Sequence, residues 1–342
     1  MARINFFLPH LRVSGGVRIA LQYASNLARR GHDVKVYVKS ANPIRRAIAN
    51  YLHLGYPLWI QGFVARVVRV PSFSSEYITG ADVNIATSCQ SMALLESFPT
   101  SKGRQFHLIQ HDEGLYHVDR KLADRAFTSS AHKIVVSTWL KDILHDTYGQ
   151  ESDLLLNPID NKQFRQLPRT ADLQTIRILL LHHTYAWKGT AEGVAVVRAV
   201  QARHPNVRLI LFGVRQKDDI ELLYDEYHYN VSQDKLAELY SNIDIYLCPS
   251  WDEGYGLPSV EAMACGSALV TYDNGGSRDY AFHEKTALVA KHRDTDDLER
   301  QLERMVSDAE LRNRIAKEGQ RLVLSMPDWK SQTDEFERIL RI

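Results

Sequence analysis

The sequence predicts an α/β fold made of two Rossmann-like domains, each containing a parallel sheet. Predicted strands and helices alternate along the whole chain, which is typical of β-α-β units. This alternation stops in a loop near residue 160, which Pro158 and Pro168 interrupt, and begins again at residue 176. A length of 342 residues is enough for two domains of roughly 150 residues each.

The individual elements follow from apolar runs and from the residues that end them. In the first half, strands are predicted at residues 4–8, 33–38, 67–69, 83–86, 106–110 and 133–136. A helix is predicted at residues 17–30, because Gly31 suits the position just past a helix end. In the second half, strands are predicted at residues 176–181, 207–212, 243–247, 268–271 and 287–289.

Composition and charge narrow the class of protein. The chain is 44% hydrophobic and 24% charged, as soluble globular proteins are, and its net charge of +1 gives no nucleic-acid signature. Residues 1–70, however, contain eleven Lys or Arg and one acid, Asp33. This half-domain either faces an anionic acceptor or membrane surface, or it is a solvated basic face.

Cysteine content and apolar run length predict a cytoplasmic protein. Cys89, Cys248 and Cys265 are far apart, so their spacing indicates neither a metal site nor a disulfide framework. The N-terminus enters a strand directly and lacks the pattern of a signal peptide. No apolar run approaches the roughly 20 residues that cross a bilayer.

The most informative segment is residues 252–270, which read DEGYGLPSVEAMACGSALV. Pro258 suits the first turn of a helix, and Gly266 suits the left-handed position that ends one. The segment therefore predicts a glycine-rich loop, a helix of about two turns and a buried strand. Backbone amides of such a loop, together with the positive end of the helix, form a site for phosphate oxygens.

Two carboxylates flank this predicted phosphate site. Glu253 precedes the loop, and Glu261 lies about one turn inside the helix. One carboxylate is placed to meet a sugar near the diphosphate. The other is placed to accept both hydroxyls of a ribose, because a carboxylate has two acceptor oxygens. Diphosphate, ribose and sugar together make a nucleotide sugar.

This segment closely resembles the signature of the GT-B glycosyltransferases of family 4, which carry an E-x7-E motif. The resemblance implies two Rossmann-like domains that face a cleft, with Tyr255, Gly256, Leu257 and Glu261 at the nucleotide sugar and Glu253 in catalysis. It also implies a terminal helix, from about Trp329, that packs back on the first domain. The expected divisions are residues 1–160, 161–325 and 326–342.

Lys188 follows a predicted strand, where a compact cation reaches phosphates. It matches the lysine of the family's R-x4-K pair and is assigned to both catalysis and donor binding. His183 stands at the arginine position, and histidine is only partly charged near pH 7, so the affinity for diphosphate or its pH dependence is expected to differ from that of the family. Gly213 ends a strand and permits a close approach to the ligand, with Arg215 supporting the phosphates.

Further donor contacts are implied by the family's loop over the nucleobase. Tyr229 and Val231 align with that loop, where backbone contacts and stacking are expected, although Tyr229 fits a packing role equally well. His182 stands beside His183, but adjacent strand residues face opposite sides. This pair therefore does not predict a zinc site. Asp294-Thr295-Asp296 resembles a metal-binding D-x-D but is read as a helix cap.

In the first half, the family resemblance implies two contacts with donor or acceptor. Gly15 and Gly16 match a double glycine that brings backbone amides near the ligands. His111 corresponds to the histidine that contacts the transferred sugar, and the Asp112-Glu113 pair beside it is placed near the acceptor. An NAD site is excluded, because G-x-G-x-x-G and the ribose-binding acid are absent.

Residues 44–70 combine arginines with aromatic and aliphatic side chains. Two interpretations stay open: a segment that lies on an anionic membrane, and a helix that covers the domain core, which is the favoured one. The residues concerned are Arg45, Arg46, Tyr51, Tyr56, Leu58, Trp59, Ile60, Arg66 and Arg69.

The sequence therefore predicts a glycosyltransferase that uses a nucleotide-diphosphate sugar and a glycan or lipid-linked acceptor, as in surface-polysaccharide or rhamnose-type synthesis. The resemblance implies retention at the anomeric carbon. No metal or other cofactor is expected, because Lys188, Arg215 and a helix N-terminus offset the charge of the leaving diphosphate. Two alternatives remain: a noncatalytic nucleotide-sugar-binding module, and a phosphorylase or epimerase of the same fold.

Overall fold

A computed structural model of the chain describes residues 1–52, 57, 59, 60, 62–172, 174–217 and 220–342. It divides into two compact units. Unit 1 comprises Met1–Asn157 and Lys330–Ile342, and unit 2 comprises Pro158–Trp329. These divisions lie three residues before the expected boundary at residue 160 and four residues after the expected one at residue 325.

Unit 1 contains a seven-stranded sheet in the order β3-β2-β1-β4-β5-β6-β7. All neighbouring strands are parallel. Its strands are β1 Arg3–Leu8, β2 Asp33–Lys39, β3 Arg66–Val70, β4 Val83–Ala86, β5 Arg104–Ile109, β6 His132–Val135 and β7 Ser152–Leu154. Its helices are α1 Gly15–Arg29, α2 Pro43–Tyr51, α3 Cys89–Leu95, α4 Arg120–Phe127, α5 Thr138–Tyr148 and the terminal α11 Trp329–Leu340.

Unit 2 contains a six-stranded parallel sheet in the order β10-β9-β8-β11-β12-β13. Its strands are β8 Ile176–Leu181, β9 Val207–Gly213, β10 Glu226–Tyr229, β11 Ile245–Cys248, β12 Ala268–Tyr272 and β13 Leu288–Ala290. Its helices are α6 Thr190–Gln201, α7 Gln233–Ser241, α8 Leu257–Ala264, α9 Thr295–Ser307 and α10 Ala309–Leu324.

The predicted strands all form, and their ends differ from the prediction by no more than two residues. Helix α1 ends at Arg29, and Gly31 follows it with φ of +93°. The strands β7 and β10 were not predicted. Strand β7 has only three residues, and β10 is the edge strand Glu226–Tyr229, in which alternating acidic and aromatic residues do not form an apolar run.

The favoured interpretation of residues 44–70 is wrong for the helix itself. Ile60 and parts of β3 reach the core, but no residue of α2 is buried. Tyr56 and Leu58, which were part of that interpretation, lie outside the described residues. Within the described part of the chain, no helix is long and apolar enough to cross a membrane.

The terminal helix α11 completes the core of unit 1. Phe336 is fully buried, and its ring centroid lies 4.7 Å from that of Tyr23 in α1 and 6.3 Å from that of Phe6 in β1. At the helix surface, Glu337 accepts a hydrogen bond from Arg30 at 2.6 Å. A segment distant in sequence thus supplies the aromatic side chain that fills the space between α1 and β1.

We predict that Phe336→Ala lowers the free energy of unfolding of unit 1 by about 3–5 kcal/mol, because it leaves a cavity among buried rings. Hydrogen exchange in urea, followed peptide by peptide, measures the change. Lys330→Ala, at an exposed position of the same unit, is the control and should stay within about 0.5 kcal/mol. Equal protection of the α1 and β1 peptides in wild type and Phe336→Ala would contradict the prediction.

Candidate functional site

The glycine-rich loop after β11 leads into α8 as the sequence predicts. Gly256 precedes the helix with φ of +89°, a conformation that glycine adopts without strain. A Cβ atom at Gly256 would also collide with the hydroxyl of Tyr280, which donates a 2.8 Å hydrogen bond to the Tyr255 carbonyl. Pro258 lies in the first turn of α8, so the amides at this helix end are held in a fixed arrangement.

A second loop, residues 274–277, holds the first one in place. The Glu253 amide donates to the Asn274 carbonyl at 2.8 Å, and the Gly276 amide donates to the Glu253 carbonyl at 3.0 Å. A Cβ atom at Gly276 would lie 2.5 Å from both the Glu253 carbonyl oxygen and the Tyr255 nitrogen. Sequence reasoning missed this loop, although the Gly275-Gly276 doublet directly after a buried strand is a recognisable signal.

Lys188 and Glu253 form an ion pair at the carboxyl ends of β8 and β11, which are neighbours in the sheet. The Lys188 Nζ lies 2.5 Å from the Glu253 Oε1, and the two side chains are only 16% and 13% exposed. The same ammonium lies 4.2 Å from the centroid of the Trp187 ring. Two predicted site residues, 65 positions apart, are thus brought together.

Glu261 lies within α8 and is buried, and its Oε2 accepts a 3.4 Å hydrogen bond from the Tyr240 hydroxyl. Its assigned contact with ribose stays a prediction. The Tyr255 side chain is buried and packs edge-on against Tyr280 at 5.6 Å. Leu257 begins α8 and is half-buried. The assigned contacts of both residues with the nucleotide sugar stay predictions.

His183 follows β8, and its Nδ1 accepts a 3.1 Å hydrogen bond from the Tyr185 amide. The backbone amide of His183 donates to the Thr190 hydroxyl at 3.0 Å. The Nδ1 atom of His183 is therefore hydrogen-bonded within the loop that follows β8. Burial, followed by the charge of Arg215, lowers the pKa of the neighbouring His182, whose ring packs at 6.2 Å against Tyr227.

Gly213 ends β9, and a Cβ atom there would lie 2.8 Å from the carbonyl oxygen of His182. The residue that follows the neighbouring strand β8 therefore leaves no room for a side chain here, and the close approach of a ligand to Gly213 stays a prediction. Arg215 is exposed, and its carbonyl accepts a 2.6 Å hydrogen bond from Tyr227. The bond links the loop after β9 to β10.

Tyr229 and Val231 lie at the end of β10 and line a cavity of about 760 Å³. Arg177, Lys235 and Asn242 contribute to the same cavity. Lys188, Glu253 and Glu261 do not line it. The ion pair therefore lies outside this cavity.

Asp294-Thr295-Asp296 forms a helix cap. The Asp294 carboxylate accepts a 2.9 Å hydrogen bond from the Asp297 amide at the start of α9. Across the described ranges, no group of three or more His, Cys, Asp or Glu side chains is arranged to hold a metal ion.

In unit 1, the predicted glycines and histidine lie at the ends of α1 and β5. Gly15 is the first residue of α1, and the Gly16 carbonyl accepts a 2.9 Å hydrogen bond from the Gln110 side chain. His111 follows directly, and its Nδ1 lies 3.0 Å from the Asp112 carbonyl oxygen. Its ring centroid is 5.6 Å from that of His117. Sequence reasoning missed Gln110, which joins these two segments.

The two acids beside His111 have different environments. The Asp112 carboxylate is buried and pairs with Arg120 at 2.9 Å, so its main role is to hold the loop after β5. Glu113 accepts a 3.0 Å hydrogen bond from the Cys89 amide. Burial raises the pKa of Glu113 to about 7, with a smaller contribution from the charge of Asp112.

The fold belongs to the GT-B class, which confirms the predicted fold class. HepE from Anabaena, in a complex with UDP-glucose, matches all of both chains with a TM-score of 0.79 and 14% identity. Sucrose-phosphate synthase from Thermosynechococcus elongatus matches 100% of this chain and 98% of its own, with a TM-score of 0.78 and 15% identity. At such identities the likeness concerns the fold alone.

Residues 164–322 match the model of the family described as glycosyl transferases group 1. The match includes residues 252–270 and confirms the resemblance that they carry.

Curated relatives are similar over parts of the chain. An N,N'-diacetylbacillosaminyl-diphospho-undecaprenol alpha-1,3-N-acetylgalactosaminyltransferase of Campylobacter jejuni is 33% identical over 90 residues, which are 26% of this chain and 24% of the relative. A D-inositol 3-phosphate glycosyltransferase of Mycobacterium bovis is 23% identical over 312 residues, 77% of this chain and 65% of the relative. The chain thus spans less than two thirds of the length of either relative.

We predict that Lys188→Met or Glu253→Gln alone lowers the free energy of unfolding of unit 2 by about 3 kcal/mol or more, because each breaks a largely buried ion pair by removing one of its charges. The double variant should recover part of this loss. Urea unfolding of the four proteins gives the coupling free energy. Arg125→Met, which breaks a more exposed pair with Glu96, should cost less than about 1 kcal/mol; equal costs at both pairs would contradict the prediction.

We also predict a pH effect at Glu113. Its folded pKa of about 7 lies above the ordinary value of 4.5, so the folded state binds the proton more tightly than the unfolded state does. Its contribution to the free energy of unfolding is therefore largest below about pH 4.5 and is lost as pH rises through about 7. Relative to wild type, Glu113→Gln should gain stability across this range in urea titrations at several pH values. A difference between Glu113→Gln and wild type that does not change with pH would refute the prediction.

Proposed function

We propose that this chain is a retaining glycosyltransferase that moves a sugar from a nucleoside-diphosphate donor to a glycan or lipid-linked acceptor. The observation that carries the proposal is the Lys188–Glu253 pair of 2.5 Å, whose glutamate lies in the loop that leads into the N-terminus of α8. The match of residues 164–322 to the model of the glycosyl transferases group 1 supports it. The surface-polysaccharide or rhamnose-type setting is part of the same proposal.

The chemistry assigned to unit 2 is stabilisation of the leaving diphosphate. Parallel strands bring their carboxyl ends to one edge of a sheet, which is where ligands bind in open α/β sheets. The Lys188 ammonium and the positive end of α8 supply charge at that edge. In this proposal Glu253 orients the ammonium through its Oε1, and Glu261 holds the ribose. The transfer requires no metal or other cofactor, because these groups are preorganised donors.

Unit 1 is assigned to the acceptor and to the transferred sugar. His111, Gly15 and Gly16 lie at the ends of β5 and α1, and Gln110 joins the two segments through its 2.9 Å hydrogen bond. Holding acceptor hydroxyl and anomeric carbon together supplies much of the rate enhancement in such a reaction. We place the protein in the cytoplasm, at the inner face of the membrane, where a lipid-linked acceptor is presented; the undecaprenol-linked substrate in the name of the Campylobacter relative supports this choice.

We expect one nucleoside diphosphate to raise the midpoint of thermal unfolding without magnesium. A ligand at about a hundred times its Kd adds roughly 2.7 kcal/mol, which moves the midpoint by a few degrees. The panel is UDP, GDP, dTDP and ADP, with and without magnesium. UDP stands first because HepE binds it. A response only with magnesium would overturn the metal-independent proposal, and no response at all would favour a noncatalytic module.

We predict that Glu261→Gln weakens nucleotide binding, whereas Glu253→Gln mainly lowers turnover. The reason is that Glu261 contacts the donor in its ground state, while Glu253 orients the charge that stabilises the leaving group. Loss of one such preorganised group costs about a hundredfold in turnover. Sugar release and product identity are followed by mass spectrometry, with Glu310→Gln on the exposed start of α10 as the matched control.

The same measurements separate the alternatives. Wild-type transfer rates in both site variants would make the assignment wrong. A sugar phosphate as the product would identify a phosphorylase, and an epimerised nucleotide sugar would identify an epimerase. An inverted anomeric configuration in the product would leave a glycosyltransferase but exclude retention.

A further inference from the structure

Helix α2 in unit 1 turns a polar face toward the domain. It begins because the Asn42 side chain accepts a hydrogen bond from the Arg45 amide at 2.9 Å, with Pro43 in the first turn. Toward the domain, Arg46 donates to the Ser40 carbonyl at 2.7 Å. Asn50 makes two hydrogen bonds of 2.9 Å with the backbone of Arg69 in β3. The helix is therefore attached to unit 1 through polar side chains and backbone groups.

The opposite face of α2 is apolar and lies in solvent. Ile44, Ile48 and Tyr51 recur at intervals of four and three residues, which places them on one side of a helix. They are 70%, 46% and 83% exposed, and Leu52, at the end of the helix, is 54% exposed. At 100° per residue, this stripe lies opposite Arg46 and Asn50. In α2 the polar face therefore contacts the domain and the apolar face is exposed, which is the reverse of the usual arrangement in a surface helix.

The chain around α2 carries positive charge only. Between Asp33 and Glu76 there is no acidic residue, whereas six cations occur there: Lys35, Lys39, Arg45, Arg46, Arg66 and Arg69. Arg45 lies on α2 itself and is exposed. An anionic surface would complement this charge, and a second copy of the same face would repel it.

We propose that the apolar stripe of α2, Ile44, Ile48, Tyr51 and Leu52, docks on an anionic lipid bilayer. A short helix with an apolar face and flanking arginines lies in the plane of the bilayer interface, where its apolar side chains enter the headgroup and acyl boundary. The exposed Arg45 on α2 is attracted by anionic headgroups. Single exposed apolar residues are ordinary on protein surfaces, but a continuous stripe opposite a bonded polar face needs a partner.

This inference rests on the proposed function only for the biological role of the membrane contact, because a membrane-bound α2 would bring unit 1 to a lipid-linked acceptor. The binding itself needs no sugar nucleotide and is measured without one. If the protein binds vesicles but no nucleotide, the proposed function is wrong and the docking surface stands. If it transfers sugar but does not bind vesicles, the docking surface is wrong and the proposed function stands.

The first experiment is sedimentation of the full chain with phosphatidylcholine vesicles, with and without phosphatidylglycerol. We expect binding to the anionic vesicles, and its loss at high salt, where surface charges are screened. Ile44→Asp combined with Ile48→Asp should lower the partition coefficient more than about tenfold. Leu223→Asp, at an exposed apolar position of unit 2, is the matched control and should bind as wild type does. Unchanged circular dichroism would show that the double variant folds.

The second experiment locates the contact. The three native cysteines are buried, so a cysteine introduced by Tyr51→Cys is the site that an environment-sensitive fluorophore labels. Its emission should shift to the blue on anionic vesicles, and the same label at Leu223→Cys should not shift. Wild-type binding by the double aspartate variant, an unshifted label at position 51, or no binding of wild type to either vesicle would overturn the proposal.

Discussion

The Lys188–Glu253 ion pair is the interaction on which the arrangement of unit 2 depends. Each partner follows a different strand, and the two strands are neighbours in a parallel sheet. Each of the two loops supplies one member of the pair. Gly189, with φ of +64°, turns the lysine loop into α6, where a Cβ atom would collide with the Pro249 carbonyl. Gly276 packs on the glutamate loop, where a Cβ atom would lie 2.5 Å from the Glu253 carbonyl oxygen. Small residues thus allow three loops to meet, and the ion pair joins two of them.

In unit 1, the loops are held together by a neutral side chain and by a buried ion pair. Gln110 links the loop after β5 to the start of α1, and the Asp112–Arg120 pair ties the same loop to α4. Glu113 directly follows Asp112, and burial raises the pKa of its carboxyl group to about 7, so this group is partly protonated near neutral pH. The loop after β5 therefore contains a buried carboxylate paired with an arginine and, next to it, a carboxyl group that changes its charge near neutral pH.

Much of the fold was predictable from the sequence, because buried parallel strands are short apolar runs that glycine and proline interrupt. Residues 176–181, for example, form β8 as predicted, and Gly256 and Pro258 begin α8. The site was predictable where glycine geometry determines it. Long-range contacts were not: nothing local indicates that Gln110 reaches Gly16, that the Tyr255 ring is buried, or that Gly213 is required by β8. Helix α2 was misread because its pattern is amphipathic, and a pattern alone does not tell which face the domain covers.

The discontinuity of unit 1 has a consequence for the order in which the chain is made. Residues 330–342 belong to the unit that residues 1–157 begin, and unit 2 lies between them. At the usual 5–20 residues per second, a ribosome needs roughly 10–35 s to synthesise the intervening segment. During that delay Tyr23 and Phe6 lack the Phe336 ring that later packs on them. The nascent chain therefore holds an incomplete first domain while the second is being made, and the last helix to emerge completes the first domain to begin folding.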